Sequence, residues 1–93
     1  TSSGLALFNK AIEATRNGKF DEAEKLYRRL VKAEPNIPAG WANLALLLGR
    51  RGAYTEAIRC GEKATQLAPE VGVFWSQLAS YQLRAGRIAD GEK

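Results

Sequence analysis

Apolar residues in the middle of the chain recur at helical spacing. Trp41, Leu44, Ala45 and Leu48 follow the i, i+3, i+4, i+7 rule for one face of a helix. Tyr54, Ala57, Ile58, Ala64 and Leu67 form a second stripe, which stops before Pro69. Gly52 lies between them and marks the first helix's end, because Gly enters the left-handed C′ conformation at little cost. Pro38 suits the first turn of the leading helix, where its missing N–H is no loss. The same pattern along the chain predicts helices near 5–17, 20–33, 38–51, 54–67 and 72–85, and the residues after Ile88 leave room for a sixth. Strand signals are absent. The expectation is an all-α protein of five to six helices, built as α-α-hairpins stacked into a solenoid.

Self-comparison gives the reason for that stacking. Gly18, Gly52 and Gly86 are spaced 34 residues apart, as are Phe20, Tyr54 and Ile88, and Ala11, Ala45 and Ala79. Leu7, Trp41 and Trp75 keep the same period, and so do the pairs Pro35/Pro69 and Ala23/Ala57. Two full units, 4–37 and 38–71, precede an incomplete third, 72–93. Ala11, Ala45 and Ala79 let a paired helix come close, with Ala23 and Ala57 meeting them from the other side. Trp41 and Trp75 are expected to fill the wider gap at the other end of each hairpin.

These residues resemble the tetratricopeptide repeat (TPR) family, whose period is 34 residues. The second unit carries the pattern as Trp41, Leu44, Ala45, Gly52, Tyr54, Ala57, Ala64 and Pro69. The first carries Ala11, Gly18, Phe20, Ala23, Tyr27 and Pro35, and the third keeps Trp75, Leu78, Ala79 and Gly86. Leu7 stands where the family has Trp, Lys10 where it has Leu, Gly61 where it has an aromatic ring and Gly91 where it has Ala. Gly61 is the most consequential departure: it leaves a hollow or lets a neighbouring helix approach. The resemblance implies a single TPR domain over 1–93 with a right-handed superhelix. The incomplete third unit suggests a piece of a larger protein, or self-association through a C-terminal edge containing Trp75 and Leu78.

Composition narrows the function. The chain has no His and one Cys among 93 residues, which removes most acid–base and metal chemistry, so neither catalysis, a metal nor a cofactor is expected. Cys60 alone forms no internal disulfide; a reducing cytoplasm is compatible and the periplasm stays open. The longest apolar run, Leu44 to Leu48, is far too short to span a bilayer. The first residues lack the basic flank and apolar stretch of a signal peptide, and Thr1 to Gly4 reads as a boundary. The net charge of +4 is spread as +2, +1 and +1 over the three units, without the dense basic stripe of a nucleic-acid binder. RNA-binding pentatricopeptide proteins use a 35-residue period with polar base-reading positions, so no nucleic-acid partner is expected.

The resemblance also implies that the first helix of each hairpin lines a concave groove holding a peptide or partner helix. Its groove positions fall on Leu5, Phe8, Ile12, Thr15 and Arg16, on Ala39, Ala42, Asn43, Leu46, Gly49 and Arg50, and on Val73, Ser76, Gln77, Ser80, Leu83 and Arg84. Phe8, Ile12, Leu46, Val73 and Leu83 make the floor apolar, while Arg16, Arg50 and Arg84 repeat along a rim. An acidic or amphipathic ligand fits both features. Equally, such arginines complement helix C-termini and snorkel over apolar surface, and another copy or another part of the chain can fill such a groove. Chaperone-binding TPR domains carry a two-carboxylate clamp of Lys, Asn, Asn, Lys and Arg. The corresponding residues here are Phe8, Ile12, Asn43, Val73 and Gln77, of which Asn43 alone matches, so a chaperone C-terminal tail is not expected.

Other polar features have structural readings. Cys60 reads as a small packing residue, its thiol lowered only modestly by Arg59 and Lys63. Arg28, Arg29, Lys25 and Lys32 form a solvated convex face with Glu24 four residues before Arg28. Asp21, Glu22 and Glu24 read as acids favoured in a helix's first turn. A scaffold for protein–protein interaction is therefore the leading expectation. A self-assembling element, or an accessory domain of a larger enzyme such as a transferase, is the alternative.

Overall fold

The computed structural model describes residues 2–89. Five α-helices follow in order: α1 (Ser2–Arg16), α2 (Phe20–Ala33), α3 (Pro38–Arg50), α4 (Tyr54–Leu67) and α5 (Gly72–Ala89). Each packs against its neighbours in sequence, with a slight further contact between α3 and α5. The shape follows from this nearest-neighbour packing. The principal extents are 44 × 29 × 19 Å and the radius of gyration is 13.2 Å, against roughly 12 Å for a compact domain of this length.

The first two hairpin turns are built identically. Gly18 and Gly52 adopt φ of 75° and 84°. Gly18 N–H donates to Thr15 O at 3.1 Å and Lys19 N–H to Ala14 O at 2.9 Å; 34 residues on, Gly52 donates to Gly49 O at 3.1 Å and Ala53 to Leu48 O at 2.9 Å. Both pairs are Schellman closures, which satisfy the last carbonyls of a helix. Gly86 does not repeat the turn. The expected end near residue 85, and a separate helix from Ile88, give way to a continuous α5 that runs to Ala89. A Gly in a helix costs about 1 kcal/mol. At Gly18 and Gly52 the turn is sealed by a second helix packed on the first, and no such helix faces α5 among the described residues.

The core follows the predicted small-residue stripe. Ala11, Ala23, Ala45 and Ala57 are 0–1% exposed, with Leu30, Leu44 and Leu48 filling the space between helices. Ala79, their third-unit counterpart, is exposed, with no following helix packed over it among the described residues. Both Trp residues latch turns; Trp41 also packs against the core, as expected, whereas Trp75 does not. Trp41 Nε1 donates to Pro35 O at 2.7 Å and Trp75 Nε1 to Pro69 O at 2.9 Å, and Trp75 stays 48% exposed. Leu78, expected at an open edge, is instead buried over Gly61.

Candidate functional site

The junction of α1 and α3 holds a concave pocket of about 280 Å³. Ile12, Thr15 and Arg16 line it from α1, Tyr27 from α2, and Asn43, Leu46 and Leu47 from α3. Helical spacing places these residues side by side: Ile12 and Arg16 are four apart on α1, Asn43 and Leu47 four apart on α3. Of the residues anticipated for the groove and its rim, Ile12, Arg16, Asn43 and Leu46 come together here with Thr15. Tyr27 and Leu47 were not anticipated. Tyr27 is the second aromatic of its unit's second helix, after Phe20, and its buried ring lines the pocket between α1 and α3.

The pocket's polar atoms are tied into the fold. Asn43 Nδ2 donates to the Tyr27 hydroxyl at 3.2 Å, and Thr15 Oγ1 donates to the Ala11 carbonyl at 2.8 Å. Burial pushes the Tyr27 hydroxyl pKa above its ordinary value, while its hydrogen bonds to Asn43 and Thr15 pull the other way. Among the described residues no carboxylate pairs with Arg16, which is exposed on the pocket rim.

The other anticipated residues lie elsewhere. Phe8 is half-buried, its ring edge-on to Tyr27 with centroids 6.2 Å apart, so it belongs to the core as much as to the surface. Arg50 lies over the Phe20 ring, 3.9 Å from its centroid, and so faces α2 rather than continuing the rim from Arg16. On α5, Val73, Ser80 and Arg84 are exposed and Gln77 is half-buried, and none of them lines the α1–α3 pocket. Leu5 and Leu83 are each 59% exposed.

The basic face around Arg28 is an ion network rather than a plain solvated face. Glu24 accepts from Arg28 as expected, but also from Arg51 at 2.8 Å, and Arg28 reaches on to Glu56. Glu24 therefore lies past the acidic first turn, which Asp21 and Glu22 supply, and joins the first unit to the second. Arg51 and Arg28 hold the Glu24 carboxyl below its ordinary range. Cys60 departs from expectation in direction. Burial, and then Glu56, push its thiol up to about 11, outweighing Arg28 and Arg59.

No helix among the described residues is long and apolar enough to cross a membrane, and they contain no group of three His, Cys, Asp or Glu placed to hold a metal ion. The fold has close counterparts among solved structures. The TPR2B-domain:pHsp70-complex of yeast Sti1 superposes with a TM-score of 0.86 at 21% identity, over 97% of this chain and 72% of that one. The Sgt2 TPR domain from Aspergillus fumigatus gives a TM-score of 0.83 at 22% identity, over 92% of this chain and 57% of that one. The family model described as tetratricopeptide repeat matches residues 8–71, spanning the paired Schellman turns and the Ala stripe. By its repeats, its fold and this match, the chain belongs to the tetratricopeptide repeat family.

Proposed function

We propose that this chain is a non-catalytic protein-interaction scaffold that holds a peptide segment or partner helix on the concave side of α1, α3 and α5. The observation that carries this reading is the α1–α3 pocket, whose aliphatic floor of Ile12, Leu46 and Leu47 lies beside Arg16, which pairs with no carboxylate among the described residues. Leu46 and Val73 are 44% and 55% exposed, so apolar surface is available along that side. The buried Cys60, with its thiol pushed upward, is a poor nucleophile, which supports a non-catalytic role.

The yeast Sti1 neighbour is a complex with pHsp70, and it gives no support to setting chaperone segments aside. For this chain they belong among the candidate ligands, although Phe8, Ile12 and Val73 replace the polar clamp with apolar side chains. A second reading, association through the α5 edge, is favoured by the half-exposed Trp75 and by the uncovered Ala79.

The test is a peptide selection against the chain, followed by measurement on Leu46→Asp and Val73→Asp. The selected peptides bind the concave variants at least tenfold more weakly and bind Arg29→Glu, on α2, as well as the parent. Equal binding to all three variants contradicts a concave site. Phe8 is a poor choice for this test, because its ring supports Tyr27.

A further inference from the structure

The α1–α3 pocket is small and mostly apolar. Its volume of about 280 Å³ lies at the lower end for ligand sites, enough for a side chain and its flanks rather than a whole cofactor. Ile12, Leu46 and Leu47 supply an aliphatic floor, and no acidic side chain lines it. One donor of each inner polar side chain is already bonded within the fold, Asn43 Nδ2 to Tyr27 and Thr15 Oγ1 to Ala11, so hydrocarbon can rest beside them without breaking these two bonds.

The charges around the pocket differ in availability. Arg28 and Arg51 are held by Glu24 and Glu56, and Arg50 is stacked on Phe20. Arg16 sits on the rim and pairs with no carboxylate among the described residues. A negative charge on a ligand therefore meets an available guanidinium at the solvent-facing edge and apolar surface beneath it.

We propose that this pocket is a specificity socket for acidic peptides: one aliphatic side chain of the ligand rests on Ile12, Leu46 and Leu47, while the side-chain carboxylate of the adjacent Asp or Glu pairs with Arg16. A side-chain carboxylate is the better fit than a chain terminus, because the cation lies on the exposed rim and the interior offers hydrocarbon. The proposal rests on the concave-face reading and adds to it the composition of the ligand.

Acetyl-Leu-Glu-amide is the probe, titrated at millimolar concentration while the Asn43 side-chain amide and the Ile12 and Leu46 methyl groups are followed by NMR. The expected result is saturable shifts at these three positions. Replacing Glu by Gln, or Leu by Ala, in the probe weakens binding about fivefold, the scale of one exposed ion pair or one partly buried side chain. The variant Arg16→Gln removes the Glu-over-Gln preference and keeps the parent's helicity. No shifts at these positions, equal binding of the Glu and Gln probes to the parent, or tighter binding of N-acetyl-leucine with its terminal carboxylate each overturns the socket. Such a failure leaves the scaffold reading intact if selected peptides still depend on Leu46 and Val73, so the two failures are distinguishable.

Discussion

Gly49 on α3 and Tyr81 on α5 meet so closely that a Cβ on Gly49 would stand 2.7 Å from Tyr81 Cε1. The other edge of the same ring faces Gly61 on α4, where a Cβ would lie 3.7 Å from Tyr81 Cδ2 and 3.2 Å from Leu78 Cδ1. Two glycines thus form a slot for one ring. This explains the departure at Gly61: the ring that the repeat pattern places on the second helix is supplied by the next helix instead. The approach of a neighbouring helix, rather than a hollow, is the outcome.

The two glycines respond differently to substitution. Gly49→Ala drives a methyl into a ring edge that is itself held by α4, and overpacking of about 1–3 kcal/mol outweighs the gain of about 1 kcal/mol in helix propensity. Gly61→Ala meets the end of a flexible Leu side chain and recovers the same propensity. Chemical denaturation will show Gly49→Ala destabilised by about 1 kcal/mol and Gly61→Ala within about 0.5 kcal/mol of the parent. The reverse order contradicts the slot.

The two buried tyrosines form a second contrast. Tyr27 OH accepts from Asn43, whereas Tyr81 OH has no hydrogen-bond partner among the described residues. Removing a hydroxyl that is buried and unpaired relieves its desolvation, while removing a paired one orphans the partner. Tyr81→Phe is expected to stabilise by about 1 kcal/mol and Tyr27→Phe to destabilise by a similar amount in the same unfolding experiment.

Acid tests the ion network between the repeats. Glu24 and Glu56 have folded-state pKa values below the ordinary carboxylate value, so the folded state binds their protons less readily than the unfolded state. Their stabilisation is fully present above the unfolded pKa and disappears as pH falls through the lowered folded values. The melting temperature therefore falls on acidification through this window. Glu24→Gln lowers stability at neutral pH and flattens that fall; an unchanged profile removes Glu24 from the stabilising network.

Cys60 offers a kinetic check on burial. With its thiol near 11 in the fold, the thiolate fraction at pH 8 is about a hundredfold below that of an ordinary thiol, before accessibility is counted. Alkylation by iodoacetamide will be slower in the native protein than in denaturant. Comparable rates contradict the packing of α4 on α5.

The hairpins, the left-handed glycines and the Ala stripe were legible in the sequence because they are local or periodic. Gly18 and Gly52 are read from one turn each, and Ala11, Ala45 and Ala57 from a fixed spacing. The missed features depend on which neighbour a side chain meets. Nothing in the period says that Tyr81 fills the place opposite Gly61, that Arg50 leaves the rim for Phe20, or that Arg51 crosses to Glu24. Gly86 carries the same letter as Gly18 and Gly52, yet α5 continues through it, and among the described residues no following helix packs there to close a turn. In the candidate site, Ile12, Arg16, Asn43 and Leu46 followed from the groove positions that the family resemblance implies, whereas the contribution of Tyr27 required the packing of three helices.

The proposed scaffold binds its partners on the concave side of α1, α3 and α5. The most direct measurement is a backbone and side-chain NMR map of the chain saturated with a peptide selected against it. The expected map has its largest shifts at Ile12, Asn43, Leu46 and Val73, with Arg29, Lys32 and Arg59 on α2 and α4 unmoved. A map concentrated on α2 and α4, with the α1–α3 pocket silent, would contradict it.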